Sequence, residues 1–377
     1  MHDLQLKQGE PIPKRFKAMP PSQAMQAWLR NRRRLTDVMG IVARRRFRAV
    51  RERFYDRLWR NAAEVVGADY STLPGGLRQI TRGKLRTFVD QSDVMLDSAI
   101  ISRLLLNKAL TFDWLAAKGI RVPRRQSFDL DSLDLAYAFL SEQSGPVVVK
   151  PAGGTGCGHG VTTQIIDRDG LRVAARHAAA FHSELLVEEQ LVGASYRLLY
   201  LDGQFIDAVR RDSPSVRGDG RSTIRQLVAT ENERRLACEP IAALSPLMID
   251  LECRNTLAAH GWSPATVLAA EQEVSVKLAV NENAAAQNHV VRGEVHPEIV
   301  ETGRRIVQDF GVGFAGLDVM ATDIALPLSE GGTIFNEINA GPGIHHHYLV
   351  AEPERVAHVA PRILEHLFST RRGVIEI

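Results

Sequence analysis

The stretch richest in chemistry lies near the C-terminus: Thr333-Ile334-Phe335-Asn336-Glu337-Ile338-Asn339-Ala340-Gly341-Pro342-Gly343. It reads as a strand stopped by Gly-Pro-Gly. Side chains alternate along a strand, so Glu337 and Asn339 share one face while Ile334, Asn336 and Ile338 share the other. A carboxylate and an amide oxygen two residues apart are hard oxygen donors, suited to Mg²⁺ held against phosphates. A second candidate strand, Phe314-Ala315-Gly316-Leu317-Asp318-Val319-Met320, brings one more carboxylate, Asp318. Taken alone the pattern equally fits a buried strand with a stray acid, and the rest of the chain has to decide.

Cations and glycines that could meet a polyphosphate stand upstream. Val147-Val148-Val149 is a short β-branched run between Gly145-Pro146 and Pro151, which predicts a buried strand carrying Lys150 to its end. The glycines Gly153, Gly154, Gly156, Gly158 and Gly160 follow, leaving backbone N–H groups free to approach phosphate oxygens. No Gly-Lys-Ser/Thr closes the loop as in a Walker motif, and the lysine precedes the glycines, unlike a dinucleotide fingerprint. A flexible glycine turn is the competing reading, and the lysine at the strand end tips the balance toward phosphate. Cys157 reads as a small filler. Further on, Leu185-Leu186-Val187 is an apolar strand ending in Glu188-Glu189-Gln190-Leu191. Asp202-Gly203 then predicts a tight hairpin whose partner strands carry Arg197 and Arg211, placed to clamp an anion or simply to lie exposed across the strands.

The elements that must position these groups fit a soluble chain of two or three domains. The 377 residues are 45% apolar and 24% charged, and the net charge of +3 is too small to imply a nucleic-acid binder overall. No apolar run could span a bilayer, the N-terminus lacks a secretory segment, and Cys157, Cys238 and Cys253 have neither disulfide-framework nor zinc spacing, so a cytoplasmic compartment is expected. Residues 1–20 read as a loose arm. Residues 22–66 read as helix, with apolar stripes Leu35, Val38, Met39, Val42 and then Phe47, Val50, Phe54, Leu58, and with arginines on the other faces. Those arginines suit an RNA or membrane surface, an anionic-substrate funnel, or more simply a solvated face or one paired with acids of another subunit. Asp97-Ser98 caps a helix expected to run through Ile100, Leu104, Asn107-Lys108 and on toward Gly119. His345-His346-His347, read as extended, would face opposite sides, which argues against one three-histidine metal site and leaves one histidine as a candidate lining of an acceptor pocket. Residues 352–368 read as a last amphipathic helix.

In order, these pieces resemble the ATP-grasp superfamily over residues 87–360. They look most similar to the ATP-grasp portion of cyanophycin synthetase and of the fused glutathione synthetases. Val216-Arg217-Gly218-Asp219-Gly220 through Thr223-Ile224 and Glu294-Val295-His296-Pro297 add to that likeness. The resemblance implies an α+β fold in which two subdomains grip ATP, behind a helical basic N-terminal region. The expected boundaries are 1–98, 99–191 for the part with the Gly-rich loop, and 192–377 for the part with the metal site. It implies an ATP-dependent carboxylate–amine ligase that works through an acyl phosphate on an amino acid or small peptide and releases ADP and phosphate. Lys108 and Lys150 would hold phosphates, and the loop from Gly153 to Gly160 would close over them. Glu188, Glu189 and Leu191 would hold adenine. Asp318, Glu337 and Asn339 would bind two Mg²⁺, with Mn²⁺ as a substitute. Arg197 and Arg211 would steady the transferring phosphoryl group.

The chain departs from the family in three places, one of them a slightly altered spacing after Arg211, at Asp212-Ser213-Pro214. Ser195 stands where the family places an acid for the ribose, and Asn281-Glu282-Asn283-Ala284-Ala285-Ala286-Gln287-Asn288 replaces a glycine-containing substrate loop. The chain stops at Ile377, which implies a single ligation site. Two alternatives remain: an ATP-binding protein that makes no amide, and a basic-helix module contacting RNA or membrane with the nucleotide fold as regulator. Homo-oligomerisation stays open.

Overall fold

In the computed structural model, residues 21–153 and 158–377 are described. The expected loose arm, the loop glycines Gly154 and Gly156, and Cys157 lie outside the described residues. Helix α1 (Pro21–Thr36) and helix α2 (Val38–Val65) follow each other with a single break at Asp37. The stripe Phe47, Val50, Phe54, Leu58 is buried as the periodicity requires. Leu35, Val38, Met39 and Val42 are not: Leu35 and Met39 are 78% and 79% exposed. The reason is tertiary. Leu29 anchors the start of the pair in one core, residues from Val50 onward anchor its end in another, and the span between carries its apolar face outward. Several arginines are paired within the chain rather than across subunits. Arg46 donates to Glu233 at 2.6 and 2.8 Å, and Arg57 to Glu239 at 2.9 Å.

After α2 come β1 (Asp69–Thr72), β2 (Arg78–Arg82), β3 (Leu85–Asp90) and β4 (Asp93–Val94). Ser98 caps α3 (Ala99–Leu105), and Asn107 caps a separate α4 (Lys108–Ala117), its Oδ1 accepting from the Leu110 N–H at 3.1 Å. The single helix expected here is thus two, because the Asn side chain competes for the backbone and starts a new N-terminus. A four-stranded sheet follows, built from β5 (Arg125–Phe128), β6 (Val147–Pro151), β7 (Thr162–Ile165) and β8 (Leu185–Glu189) in the order β5-β8-β6-β7. Its apolar face packs on α5 (Leu133–Ser141) and α6 (Arg168–Ala179) through Phe139, Leu171 and the alanines of α6.

The larger sheet has the order β13-β10-β9-β14-β15, all antiparallel. Its strands are β9 (Ala194–Leu201) and β10 (Gln204–Arg211), joined by the Asp202-Gly203 turn, then β13 (Asn288–Val290), β14 (Phe314–Ala321) and β15 (Ile334–Ala340). Between β10 and β13 a small unit is inserted with its own core of Val216, Ile224, Cys253, Leu257 and Val276. It comprises β11 (Ser215–Arg217), α7 (Ile224–Ala237), α8 (Leu251–Ala259) and β12 (Glu273–Ser275). One face of the large sheet is covered by α9 (Pro297–Phe310), which starts on Pro297 and ends on Gly311 at φ 65°. The chain closes with α10 (Val359–Thr370), whose Ile363, Leu364 and Leu367 pack with Trp59 of α2, and with β16 (Ile375–Glu376), which pairs with β3. The last helix is shorter than expected: Pro353–Arg355 is a 3₁₀ turn and the helix begins only at Val359. No helix among the described residues is long and apolar enough to cross a membrane.

The α9–sheet contact depends on a missing side chain. A Cβ on Gly303 would lie 2.1 Å from the Tyr200 hydroxyl, which donates to the Val300 carbonyl at 3.0 Å. Overpacking of this kind costs about 1–3 kcal/mol. Gly303→Ala is therefore expected to lower the thermal midpoint, and scanning calorimetry against the unmodified chain checks it.

Candidate active site

The register of the large sheet sets the centre. Asp318 on β14 lies opposite Arg197 of β9 on one side and opposite Glu337 of β15 on the other. Arg197 donates to both Asp318 oxygens, Nε to Oδ1 at 2.7 Å and Nη2 to Oδ2 at 2.8 Å. Arg211, at the end of β10, reaches the same carboxylate at 3.1 Å and donates to the Ser195 hydroxyl at 2.9 Å. Burial alone would raise the Asp318 pKa. The two guanidiniums outweigh it and hold the carboxyl below its ordinary range. Burial lowers the Arg211 pKa from its ordinary value, and the Asp318 carboxylate opposes that shift.

The expected alternation along β15 holds for Glu337 and Asn339 but fails upstream. A bulge slips the register between Asp318 and Val319, so that Phe335 faces Val319 and Asn336 is the extra residue. Phe335 and Ile338 then share the apolar face with Leu317 and Val319, while Glu337 and Asn339 line up beside Asp318. Gly316 leaves room for Pro342 beside the cluster: a Cβ there would lie 2.5 Å from the Pro342 side chain and 3.4 Å from Arg197 Cδ.

Two lysines complete the centre from the smaller sheet. Lys108, the first residue of α4, forms an ion pair with Glu337, and its backbone N–H donates to the Ala152 carbonyl at 3.0 Å. That bond ties α4 to the end of β6, where Lys150 pairs with the buried Glu188 at 2.7 Å above the ring of Phe112. The start of the glycine loop is pressed on the same helix cap. A Cβ on Gly153 would come within 2.9 Å of the Leu106 carbonyl. The loop returns through Gly158 and Gly160, both at positive φ, with Gly158 against the Asn281 side chain. Glu189 Oε1 accepts from the Arg124 N–H at 2.9 Å, and Leu191 leads into the crossing between the two sheets. There Gly193 passes so close to Ala321 that a Cβ would sit 2.4 Å from its carbonyl oxygen.

The donor set of Asp318, Glu337 and Asn339 is made of hard oxygens, which fits Mg²⁺. Several buried polar atoms of this region have no partner among the described residues: Arg211 Nε, Asn339 Nδ2 and Glu188 Oε1. Buried groups left unpaired are costly in a folded chain and mark places where a ligand supplies the missing bond.

The histidines are not extended. Ile344–His347 is a 3₁₀ turn, so the three side chains fan around it rather than alternate. His347 Nδ1 lies 2.8 Å from Asp207 Oδ2, both fully buried, and His345 Nδ1 lies 3.1 Å from the Tyr55 hydroxyl. Asp207 and Tyr55 were missed as neighbours of the site. The signal for Asp207 was a lone acid inside the apolar strand Phe205-Ile206-Asp207-Ala208-Val209. Glu252 was missed as well. Its carboxylate accepts from Thr163 N at 2.7 Å, Thr163 Oγ1 at 2.8 Å and the N–H groups of Leu278 and Ala279, fastening the strand that leaves the glycine loop to the inserted unit.

Burial, and then the positive charges of Arg197 and Arg51, push the pKa of His345 down to about 3. His346 is lowered well below 6.5 by burial, the neighbouring His345, Arg211 and Arg197. The unfolded chain therefore binds protons below pH 6.5 that the folded chain does not, so stability falls as pH drops from 6.5 toward 3. The thermal midpoint should decline on acidification through this window, and more shallowly in His346→Leu, as a melting series across pH would record.

No family model matches the chain. Over 275 residues, 72% of the chain, it is 29% identical to cyanophycin synthetase of Trichormus variabilis, and the match spans 30% of that protein. Over 280 residues, 72% of the chain, it is 29% identical to the glutathione biosynthesis bifunctional protein GshAB of Streptococcus thermophilus, spanning 36% of that protein. The chain thus corresponds to about a third of these relatives. A crystal structure of a bifunctional glutathione synthetase from Pasteurella multocida aligns over 85% of this chain and 45% of its own, with a TM-score of 0.51 at 21% identity, a likeness of fold. Fold and sequence likeness agree: the chain has the ATP-grasp fold and is similar, over 72% of its length, to a part of cyanophycin synthetase and of the bifunctional glutathione proteins.

Proposed function

We propose that the chain is an ATP- and Mg²⁺-dependent ligase that joins the carboxylate of an amino acid or small peptide to an amine through an acyl phosphate, releasing ADP and phosphate in the cytoplasm. The observation that carries this reading is the facing pair Asp318 and Glu337, each held by cations arriving from other elements. Buried carboxylates paired with lysine and arginine are a poor source of stability, since desolvation offsets most of the attraction. Their concentration at one end of the sheet therefore calls for a functional reason. Among the relatives named above is a cyanophycin synthetase, and the likeness to it spans 72% of the chain.

In this reading Lys108 and Lys150 exchange Glu337 and Glu188 for phosphate oxygens, one anion for another. Gly153, Gly158 and Gly160 let the backbone approach the same oxygens. Glu188, Glu189 and Leu191 take the adenine edge, and the Ser195 hydroxyl faces the ribose. Asp318, Glu337 and Asn339 hold Mg²⁺, two ions in this assignment, which neutralises triphosphate charge when bound. Arg197 and Arg211 turn their donors from Asp318 to the phosphoryl group as it passes to the substrate carboxylate. A carboxylate is a poor electrophile until phosphorylated, and these residues act by position and charge rather than as a covalent nucleophile. The amine then attacks the acyl carbon, and phosphate leaves.

The test is ADP and phosphate release from ATP with Mg²⁺ and an amino-acid mixture, with mass spectrometry of the products. Release that needs both a carboxylate and an amine, with a new amide in the products, supports the reading. ADP formed without an amide, or no ADP, overturns it. Glu337→Gln keeps the shape while removing the charge, and should lower turnover by about 100-fold or more with the melting curve preserved. Undiminished turnover would reject Glu337 as a metal ligand.

A further inference from the structure

The middle of the long N-terminal helix pair has no role in the ligase reading, and its surface has an unusual make-up. Leu35, Val38, Met39, Ile41 and Val42 are all exposed, Leu35 and Met39 almost fully. On both sides of this apolar centre stand exposed arginines: Arg30 and Arg34 before it, Arg45, Arg48 and Arg53 after it. These five have no ion-pair or hydrogen-bond partner among the described residues. Val38, Val42, Arg45 and Arg53 recur at helical spacing, so the apolar and cationic parts lie along the same outward face of α2. The opposite face is committed, with Gly40, Phe47, Val50 and Phe54 buried.

Three occupants are conceivable, and the chemistry separates them. A second copy of the chain, docked antiparallel about Met39, would bring Arg45 and Arg48 beside Arg30, Arg32 and Arg34 of the other copy, like charge against like. Single-stranded nucleic acid would use the arginines but wants flat rings to stack on, and the centre is aliphatic. An anionic lipid surface uses both parts, since aliphatic side chains enter the headgroup boundary while arginines meet lipid phosphates and carboxylates. The helix is also fixed at both ends, through Leu29 to one core and through residues from Val50 to another, so its middle is presented without needing to fold on contact.

We infer that the outward face of residues 30–53 is a docking surface for an anionic membrane, holding the chain at a bilayer surface without crossing it. Nothing in this depends on ligation chemistry, and its test reads membrane binding rather than turnover. The full chain is sedimented with vesicles of phosphatidylcholine and phosphatidylserine, and with phosphatidylcholine alone, at low and high salt. The expected result is partition to the phosphatidylserine vesicles only, weakened by salt. Met39→Asp with Val42→Asp should reduce that partition about tenfold by removing apolar insertion, and Arg45→Glu with Arg48→Glu by a similar factor. All four positions are solvent-facing or nearly so, and unchanged melting curves confirm intact folding. The proposal is overturned if the chain stays in the supernatant with phosphatidylserine vesicles at low salt, which would point to an acidic protein as occupant. It is also overturned if the aspartate variants bind as the unmodified chain does, since charge alone would then explain the attraction.

Discussion

Asp318 is the point on which the large sheet and the candidate site both turn. Its buried carboxylate is shared by Arg197 on the neighbouring strand and Arg211 on the next one out. Three strands must therefore be in register for any of the charges to be satisfied. A slip of one residue would point Asp318 or Arg197 into the apolar layer that holds Leu198, Leu317 and Ile338. Removing one member of such a buried pair typically costs about 3–5 kcal/mol, because the other charge stays buried without a partner. The same cluster that enforces register thus also gathers charged donors and acceptors at one place on the sheet.

The two sheets could act on one ligand only if their relative position were fixed, and specific contacts fix it. Lys108 belongs to the smaller unit through its backbone bond to Ala152 and to the larger one through its ion pair with Glu337. Glu252 does a similar job at the far side of the glycine loop. Burial raises its pKa, four N–H and O–H donors from Thr163, Leu278 and Ala279 oppose that, and the carboxylate binds β7 to the segment that leads into Asn281. Close by, Lys277 bridges Asp250 at 2.7 Å and Glu282 at 2.8 Å. The inserted unit with its separate core therefore buttresses the strand that leaves the glycine loop.

The N-terminal helices show how an apolar stripe can mean two things. The helical spacing that buries Phe47, Val50, Phe54 and Leu58 on α2 is also displayed by Leu35, Val38, Met39 and Val42, which run from the end of α1 into the start of α2. Helical period specifies that side chains share a face. It does not specify what covers the face, and here nothing in the described chain covers the first stripe.

Much was fixed by local rules that act within a few residues. Gly-Pro and Pro bounded the strand that carries Lys150, Asp202-Gly203 made the hairpin that sets Arg197 and Arg211 on adjoining strands, Pro297 and Gly311 delimited α9, and alternation put Glu337 and Asn339 on one face. The ordered motifs together carried the likeness to ATP-grasp proteins, because their order along the chain is more specific than any one of them. Tertiary structure decided the rest. The bulge at Asn336 and the 3₁₀ turn at His345 to His347 each answer to packing partners far along the chain. So do the pairing of Asp207 with His347 and the clasp at Glu252, whose donors come from segments tens of residues away. Spacing along a chain reports which side chains can point the same way; only the folded arrangement determines which charges meet, since burial and distance set the strength of every such contact.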